Sequence, residues 1–98
     1  MATRLISTTP EEALPPNGLR KSFLIQNQDS VINVFIKKEK PGNTTVSATD
    51  HDFRIGPLNS FVLNSDVDGL ESIQERYTIV AASGTPRIAV FETESIKR

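Results

Sequence analysis

The sequence predicts a single all-β domain, an antiparallel β-sandwich or jelly-roll-like barrel of about seven to eight short strands with an N-terminal arm. Three observations lead to this fold class. The chain has 98 residues, of which 37% are hydrophobic, which suffices for one core and leaves no room for a second. From Lys21 onward, apolar residues recur with the period of two that is typical of strands. Turn formers punctuate these short segments, and no helical period lasts longer than one turn.

Residues 1–18 are predicted to form an N-terminal arm, or a first strand with a short helical turn, ahead of a β-sandwich domain over residues 19–98. The sequence TPEE at residues 9–12 has the form of a capping box, in which Thr9 caps a helix and Glu12 binds back to the cap amide. The prolines that follow would end such a helix quickly. An arm of this kind can add to the sheet of a neighbouring chain, and the alternative is a plain terminal strand or tail.

Residues 21–27 and 31–38 are predicted as the first two strands of the main body. One face of the first strand carries Phe23, Ile25 and Asn27, and the second strand shows the same alternation of apolar positions. Residues 28–30 between them contain an aspartate and a serine, which are turn formers. A hairpin is therefore the simplest connection between the two strands.

Five further strands are predicted beyond residues 40–43, whose sequence KPGN is the strongest turn signal in the chain. Each holds alternating or β-branched residues between turn formers. They cover residues 44–47, 53–55, 60–64, 77–83 and 87–93. The last strand is apolar on both faces over part of its length, because Val90 and Phe91 point in opposite directions. That pattern favours a central position in a sheet.

Composition argues against several classes of function. The chain has 11 basic and 12 acidic residues and a formal net charge of −1, so neither nucleic acid nor a membrane surface is expected as a partner. It has no cysteine, and hence neither a disulfide nor a thiolate site. No segment approaches the roughly 20 apolar residues of a membrane span, and the N-terminus lacks the apolar region of a signal peptide. The chain is therefore expected to be made in a cytoplasm.

The only histidine, His51, lies between Asp50 and Asp52, and this triplet is where a general base or a hydrolytic triad would be sought. A carboxylate can orient a histidine ring for either role. Neighbouring residues point in different directions, however, and the chain has no second histidine, no cysteine and no G-x-S-x-G sequence. A solvated polar loop is the favoured interpretation. The sequence thus predicts a protein that is not an enzyme, with no catalytic residues and no cofactor.

Side chains that carry oxygen alternate over residues 64–69, with a spacing that resembles the loop of a calcium-binding EF-hand. Asn64, Asp66 and Asp68 occupy ligand positions, and Glu75 stands at the position of the distant glutamate. The flanking segments have the patterns of strands and turns, which excludes a helix-loop-helix. Two interpretations stay open, a calcium site in a strand connection and an ordinary Asp-Gly turn, and no metal ligand is assigned.

Three aromatic residues, Phe61, Tyr77 and Phe91, suggest a different binding function, since aromatic rings on one surface can stack on a sugar. The chain has five phenylalanines, one tyrosine and no tryptophan, which is only just sufficient for a core. Core packing is therefore the favoured role for all three.

Several segments resemble small β-sandwich accessory proteins of tailed bacteriophages, over about residues 20–93. In those proteins an opening strand begins near an arginine and ends with an asparagine, as does RKSFLIQN at residues 20–27. A closing strand follows a Gly-Thr pair and ends with a glutamate, as in GTPRIAVFE at residues 84–92. Between them, VFI at residues 34–36 and GPL with FVL over residues 56–63 add to the likeness.

This resemblance implies a non-enzymatic structural protein of the virion, foremost a head decoration or cement protein that binds and stabilises the capsid lattice. Its partners would be the major capsid protein or another virion protein, together with copies of itself in a homo-oligomer. It would be made in the host cytoplasm and act in the virion. The alternatives are a tail or head-tail connector accessory protein and, from another class, a ligand-binding β-sandwich module for carbohydrate or calcium.

Overall fold

A computed structural model describes residues 2–64 and 74–94 of the chain. Eight β-strands run through these residues. They are β1 (Ala2–Leu5), β2 (Glu11–Leu14), β3 (Arg20–Asn27), β4 (Val34–Lys38), β5 (Phe53–Ile55), β6 (Ser60–Asn64), β7 (Tyr77–Ala81) and β8 (Arg87–Glu94). The all-β fold class predicted from the sequence is confirmed.

The strands form two four-stranded antiparallel sheets that pack together as a β-sandwich. The first sheet has the order β1-β8-β3-β6, and the second sheet has the order β2-β7-β4-β5. β8 lies inside the first sheet, as its two apolar faces predicted. β1 pairs with β8 and β2 pairs with β7, so residues 2–14 contribute one strand to each sheet of their own chain.

The core fills the space between the sheets. Phe23 and Ile25 on β3 face Tyr77 and Ile79 on β7 and Ile36 on β4, and each of these side chains is at most 2% exposed. Successive residues of a strand point to opposite faces. The burial of every second residue on β3 therefore places the residues between them on the outside of the first sheet.

The helical turn predicted after Thr9 is wrong, because Glu11–Leu14 is strand β2 and pairs with β7. One helical turn fixes several residues in return for a single hydrogen bond, so an isolated turn is unfavourable. The strand instead gains backbone hydrogen bonds along β7. It also gains an ion pair, in which Glu12 Oε2 lies 2.6 Å from Arg76 Nε.

The hairpin predicted between β3 and β4 is also wrong, since the two strands lie in different sheets. Both edges of β3 are occupied, by β6 and by β8. The connection is an arch in which the Asp29 carboxylate accepts hydrogen bonds from the backbone N–H groups of Val31 at 2.7 Å and Ile32 at 2.8 Å. The N–H groups of Ile32 and Val31 lower the pKa of Asp29. Because this arch uses residues 31 and 32, β4 begins only at Val34.

Residues 44–47, which were predicted as a strand, lie in the connection between β4 and β5. The N–H groups of Thr45 and Val46 donate to the carboxylate of Glu39 rather than to a neighbouring strand. The segment therefore has its backbone donors satisfied by a side chain and does not join a sheet.

Candidate functional site

The outer face of the second sheet is covered by the connection between β4 and β5. Phe35 on β4, Val80 on β7 and Val46 of the connection form a small apolar cluster outside the main core, and each is at most 7% exposed. The ring of His51 lies against Phe35, with the ring centroids 4.5 Å apart. This outer face is thus a second, minor core rather than an open surface.

Glu39 holds the connection in place. Its carboxylate accepts hydrogen bonds from the Thr78 hydroxyl at 2.6 Å, the Thr45 hydroxyl at 2.8 Å and the Val46 N–H at 3.2 Å. Burial acts to raise the pKa of Glu39, but the hydrogen bonds from Thr78 and Thr45 outweigh burial, so the pKa lies below its ordinary value. The ionised carboxylate is therefore the form that the fold stabilises.

Glu39→Gln is expected to lower the free energy of unfolding at pH 7 by about 1–3 kcal/mol, because an amide donor would face groups that are themselves donors. The folded-state pKa of Glu39 is lowered, so the stabilisation is present above the unfolded value of about 4.3 and is lost as the pH falls through the folded value. In urea unfolding, the difference in the free energy of unfolding between wild type and Glu39→Gln should therefore shrink as the pH falls from 5 to 3. Glu11→Gln, at a partly exposed edge position, is the control, and a difference that did not change with pH would contradict the role of Glu39.

The outer face of the first sheet differs, because its nine central positions carry no charge. Residues on β3 that alternate with the buried Phe23 and Ile25 point outwards, and the strand registers place residues of β6 and β8 beside them. In a chain with 23% charged residues, this sets the surface apart. The nine residues, hereafter the uncharged face, are Ser22, Leu24 and Gln26 on β3, Asn64, Val62 and Ser60 on β6, and Thr93, Phe91 and the fully buried Ala89 on β8.

Three apolar side chains, hereafter the apolar row, cross the middle of the uncharged face. Leu24 pairs directly with Val62 on one side and with Phe91 on the other. Val62 is 54% exposed and Phe91 is 44% exposed, while Leu24 between them is half-buried. Neutral polar groups border the row, such as the Ser22 and Thr93 hydroxyls, which lie 2.6 Å apart. An apolar centre with a polar rim is the usual anatomy of a protein-binding surface.

The His51 triplet does not assemble into a catalytic group. Asp50 Oδ2 accepts a hydrogen bond from Lys37 Nζ at 2.8 Å, and Asp52 Oδ2 accepts one from a backbone N–H of β4 at 2.8 Å. The bond to Asp50 also raises the pKa of Lys37. Nδ1 of His51 lies 3.1 Å from the backbone carbonyl oxygen of Ser47. Both carboxylates are thus engaged with other groups, and His51 belongs to the cover of the second sheet.

Of the residues considered for calcium, Asp66 and Asp68 lie outside the described residues. Asn64 ends β6, and the backbone carbonyl of Glu75 accepts a hydrogen bond from Arg20 Nη1 at 2.9 Å. Across the described ranges, no group of three His, Cys, Asp or Glu side chains is close enough together to hold a metal ion. The calcium site therefore stays one of two alternative interpretations of this segment, beside an ordinary Asp-Gly turn.

The three aromatic residues do not share a surface. Tyr77 is 2% exposed, and its ring centroid lies 4.9 Å from that of Phe23 in the core. Phe61 contacts Phe53 at a centroid distance of 4.4 Å, at the side of the sandwich. Phe91 points the opposite way, onto the uncharged face. The prediction of core packing is confirmed for Tyr77 and for the half-buried Phe61, which packs against the core. It is wrong for Phe91, because β8 turns alternate side chains outwards.

The apolar row was missed by sequence reasoning. One usable signal was present, since Leu24 stands between two core residues and makes β3 apolar on both faces. That signal does not reveal that Val62 and Phe91 flank Leu24, because their strands come from distant parts of the chain.

Comparisons with known proteins found no relative, since no protein-family profile, no curated protein and no solved structure matches this chain. Within the described residues, no helix has the length and apolar content required to cross a bilayer.

Proposed function

We propose that this chain is a non-enzymatic structural protein of a tailed-bacteriophage virion, and specifically a head decoration or cement protein. In this role it is made in the host cytoplasm, binds the major capsid protein and stabilises the capsid lattice. The observation that carries the proposal is the uncharged face, which provides a surface for contact with another protein. The likeness of residues 20–93 to phage accessory proteins suggests the virion as the place where that contact is made.

The contrast between the two outer faces supports a binding role for the uncharged face. The chain covers the second sheet with its own connection and buries Phe35 and Val80 there. It leaves Val62 and Phe91 of the first sheet about half exposed. Apolar side chains that lie side by side in water favour association, because burying them removes apolar area from water.

The polar groups of the sandwich support a structural rather than a chemical role. Within the described part of the chain, every buried side-chain nitrogen and oxygen atom has a hydrogen-bond partner. Buried Arg20, Asn27 and Glu39 bind backbone groups of the loops. Such side chains bind the loops to the sheets and so hold the sandwich together.

Phe91→Glu is expected to weaken binding to phage heads at least tenfold, because it places a charge at one end of the apolar row. The assay sediments heads of the encoding phage, purified without this protein, with increasing amounts of the purified chain. Leu19→Glu is the matched control, since Leu19 is 41% exposed against 44% for Phe91 and lies outside the uncharged face.

Failure of the wild-type chain to sediment with heads would reject the decoration role. Sedimentation with isolated tails instead would assign the chain to a tail or head-tail connector, which would use the same face on a different partner. Equal binding by wild type and Phe91→Glu would show that the uncharged face is not the contact.

A further inference from the structure

The sequence contains a single Asn-Gly pair, Asn17-Gly18, in the connection between β2 and β3. An asparagine before a glycine is chemically labile, because the backbone nitrogen of the glycine attacks the side-chain amide and no Cβ hinders its approach. The other asparagines of the chain all precede larger residues. Asn17 is therefore the asparagine at which the sequence most favours deamidation.

Asn17 is the first residue of a β-turn. The N–H of Arg20 donates to the carbonyl of Asn17 at 3.1 Å, so Gly18 and Leu19 are the two central residues of the turn. The side-chain oxygen of Asn17 accepts a hydrogen bond from the N–H of Leu19 at 3.0 Å, which closes an Asx turn. The ring closed by this bond contains both the Cγ atom of Asn17 and the nitrogen of Gly18. The turn thus keeps the amide carbon beside the nitrogen that attacks it.

The amide of Asn17 is also bound by Glu94, the last residue of β8. Asn17 Nδ2 donates a hydrogen bond to Glu94 Oε2 at 2.7 Å. This bond fixes the orientation of the amide, which has to turn towards the Gly18 nitrogen before it reacts. The nitrogen attacks as an anion, and the carboxylate disfavours a second negative charge nearby. Both effects of Glu94 slow the attack.

We propose that Asn17 is a site of spontaneous deamidation, whose rate in the folded chain is restrained by Glu94. The Gly18 N–H gives its proton to water, and the nitrogen forms a bond to Asn17 Cγ. The bond from Cγ to Nδ2 breaks, and Nδ2 leaves as ammonia with a proton taken back from water. Water then opens the succinimide. Opening at Cγ gives aspartate, and opening at the backbone carbonyl carbon gives isoaspartate.

Both products disturb contacts that attach this connection to the sandwich. An aspartate at position 17 places a carboxylate against the carboxylate of Glu94, where the amide now donates a hydrogen bond. Isoaspartate adds a methylene to the main chain of a turn that Gln74 holds at two points. The Gln74 carbonyl accepts from the N–H of Asn17 at 3.0 Å, and Gln74 Nε2 donates to the carbonyl of Gly18 at 2.7 Å. The deamidated chain is therefore expected to be less stable than the intact chain.

The test incubates the purified, folded chain at pH 8 and follows the replacement of an amide NH2 by OH with mass spectrometry. Peptide mapping assigns each conversion to a residue. Asn17 is expected to convert roughly tenfold faster than Asn43, because Asn43 precedes Thr44, whose branched Cβ hinders the attack. Asn43 is a suitable internal comparison, since it is exposed and its N–H closes a turn by donating to the carbonyl of Lys40.

Three variants separate the reaction from the restraint. Gly18→Ala should slow the conversion of Asn17 roughly tenfold, because a methyl group obstructs the attacking nitrogen. This variant is expected to fold, since Gly18 has no positive φ and an added Cβ meets no described atom within 4 Å. Glu94→Ala should speed the conversion about threefold, the effect of losing one exposed charged contact. Glu11→Ala is the matched control, because it removes a carboxylate from another edge strand and should leave the rate unchanged. Thermal unfolding before incubation checks that each variant folds.

The deamidated fraction carries one more negative charge, so anion exchange separates it from the intact chain. Its midpoint of urea unfolding is expected to be lower. Absence of conversion at Asn17 in the folded wild type would overturn the inference, as would equal rates in wild type and Gly18→Ala. A rate that Glu94→Ala does not raise, or that Glu11→Ala raises equally, would overturn the restraint by Glu94. An unchanged unfolding midpoint would show that the Glu94 and Gln74 contacts do not stabilise this connection.

Discussion

Arg20→Leu is expected to lower the free energy of unfolding by about 3–5 kcal/mol, the usual cost of removing one partner from a buried charge network. Arg20 is fully buried, and its Nε lies 2.6 Å from Glu92 Oε2. Its Nη1 donates to the carbonyl of Glu75 at 2.9 Å and its Nη2 to that of Pro15 at 2.5 Å. Leucine would leave two backbone carbonyls and a carboxylate without these donors, at an end of the sandwich where Arg20 joins two connections to β8.

Urea unfolding at pH 7 measures this effect, and thermal unfolding should show a midpoint lower by about 12 °C or more, given roughly 4–8 °C per kcal/mol for domains of this size. Arg20→Lys should recover only part of the loss, because one ammonium group lacks the planar fork that reaches several acceptors. Arg54→Leu makes the same change at an exposed strand position and should cost less than about 0.5 kcal/mol. Equal stability of Arg20→Leu and Arg54→Leu would contradict the role of Arg20.

The buried face of β3 could be predicted from sequence, because side chains along the strand alternate between buried and partly exposed positions. Phe23, Ile25 and Asn27 were placed on one face, and all three are at most 1% exposed. The period of two identifies the buried face of a strand whatever its partners are. The neighbours of β3 follow from no such local rule. Asp29 and Ser30 suggested a hairpin, and Asp29 does form a turn, but the turn leads to the other sheet.

Arg20 escaped prediction because a charged residue at the start of a strand is normally exposed. A register shift between Arg20 and Ser22 turns the arginine inwards. The uncharged face was unpredictable for a related reason, since it exists only through the registers that bring Val62 and Phe91 to Leu24. The positions of charged residues can be read from the sequence. An uncharged surface can be recognised only when the strand registers are known, because they decide which residues lie side by side.

β3 connects the stability of the sandwich to its candidate function. Its first residue, Arg20, binds the loops at one end of the sandwich, and its last residue, Asn27, binds the loops at the other end. Between them, Leu24 occupies the centre of the apolar row. One strand thus fixes both ends and presents the binding surface in its middle, so the row is held on a rigid element rather than on a loop.

Asn27→Asp is expected to lower the free energy of unfolding by about 3–5 kcal/mol at pH 7. The substitution only replaces the amide nitrogen by an oxygen, and the volume of the side chain changes little. Asn27 is fully buried, and its Nδ2 donates to the carbonyls of Ile32 at 2.7 Å, Ile55 at 3.2 Å and Gly56 at 3.2 Å. Its Oδ1 accepts from the N–H of Asp29 at 3.0 Å. An ionised carboxylate would face the same three carbonyl oxygens without any hydrogen to donate to them.

The sign of the pH dependence separates this electrostatic cost from a packing defect. The folded state would disfavour the charged form, so the pKa of the introduced carboxyl would rise above its unfolded value of about 3.9. The native state then binds more protons than the unfolded state, and the deficit of Asn27→Asp against wild type should grow as the pH rises from 3 to 7. Asn27→Leu should show a deficit independent of pH, and Asn59→Asp, at an exposed position of the same end, should show little at any pH. A deficit for Asn27→Asp that stayed constant from pH 3 to 7 would mean that the three carbonyl contacts do not hold this end of the sandwich together.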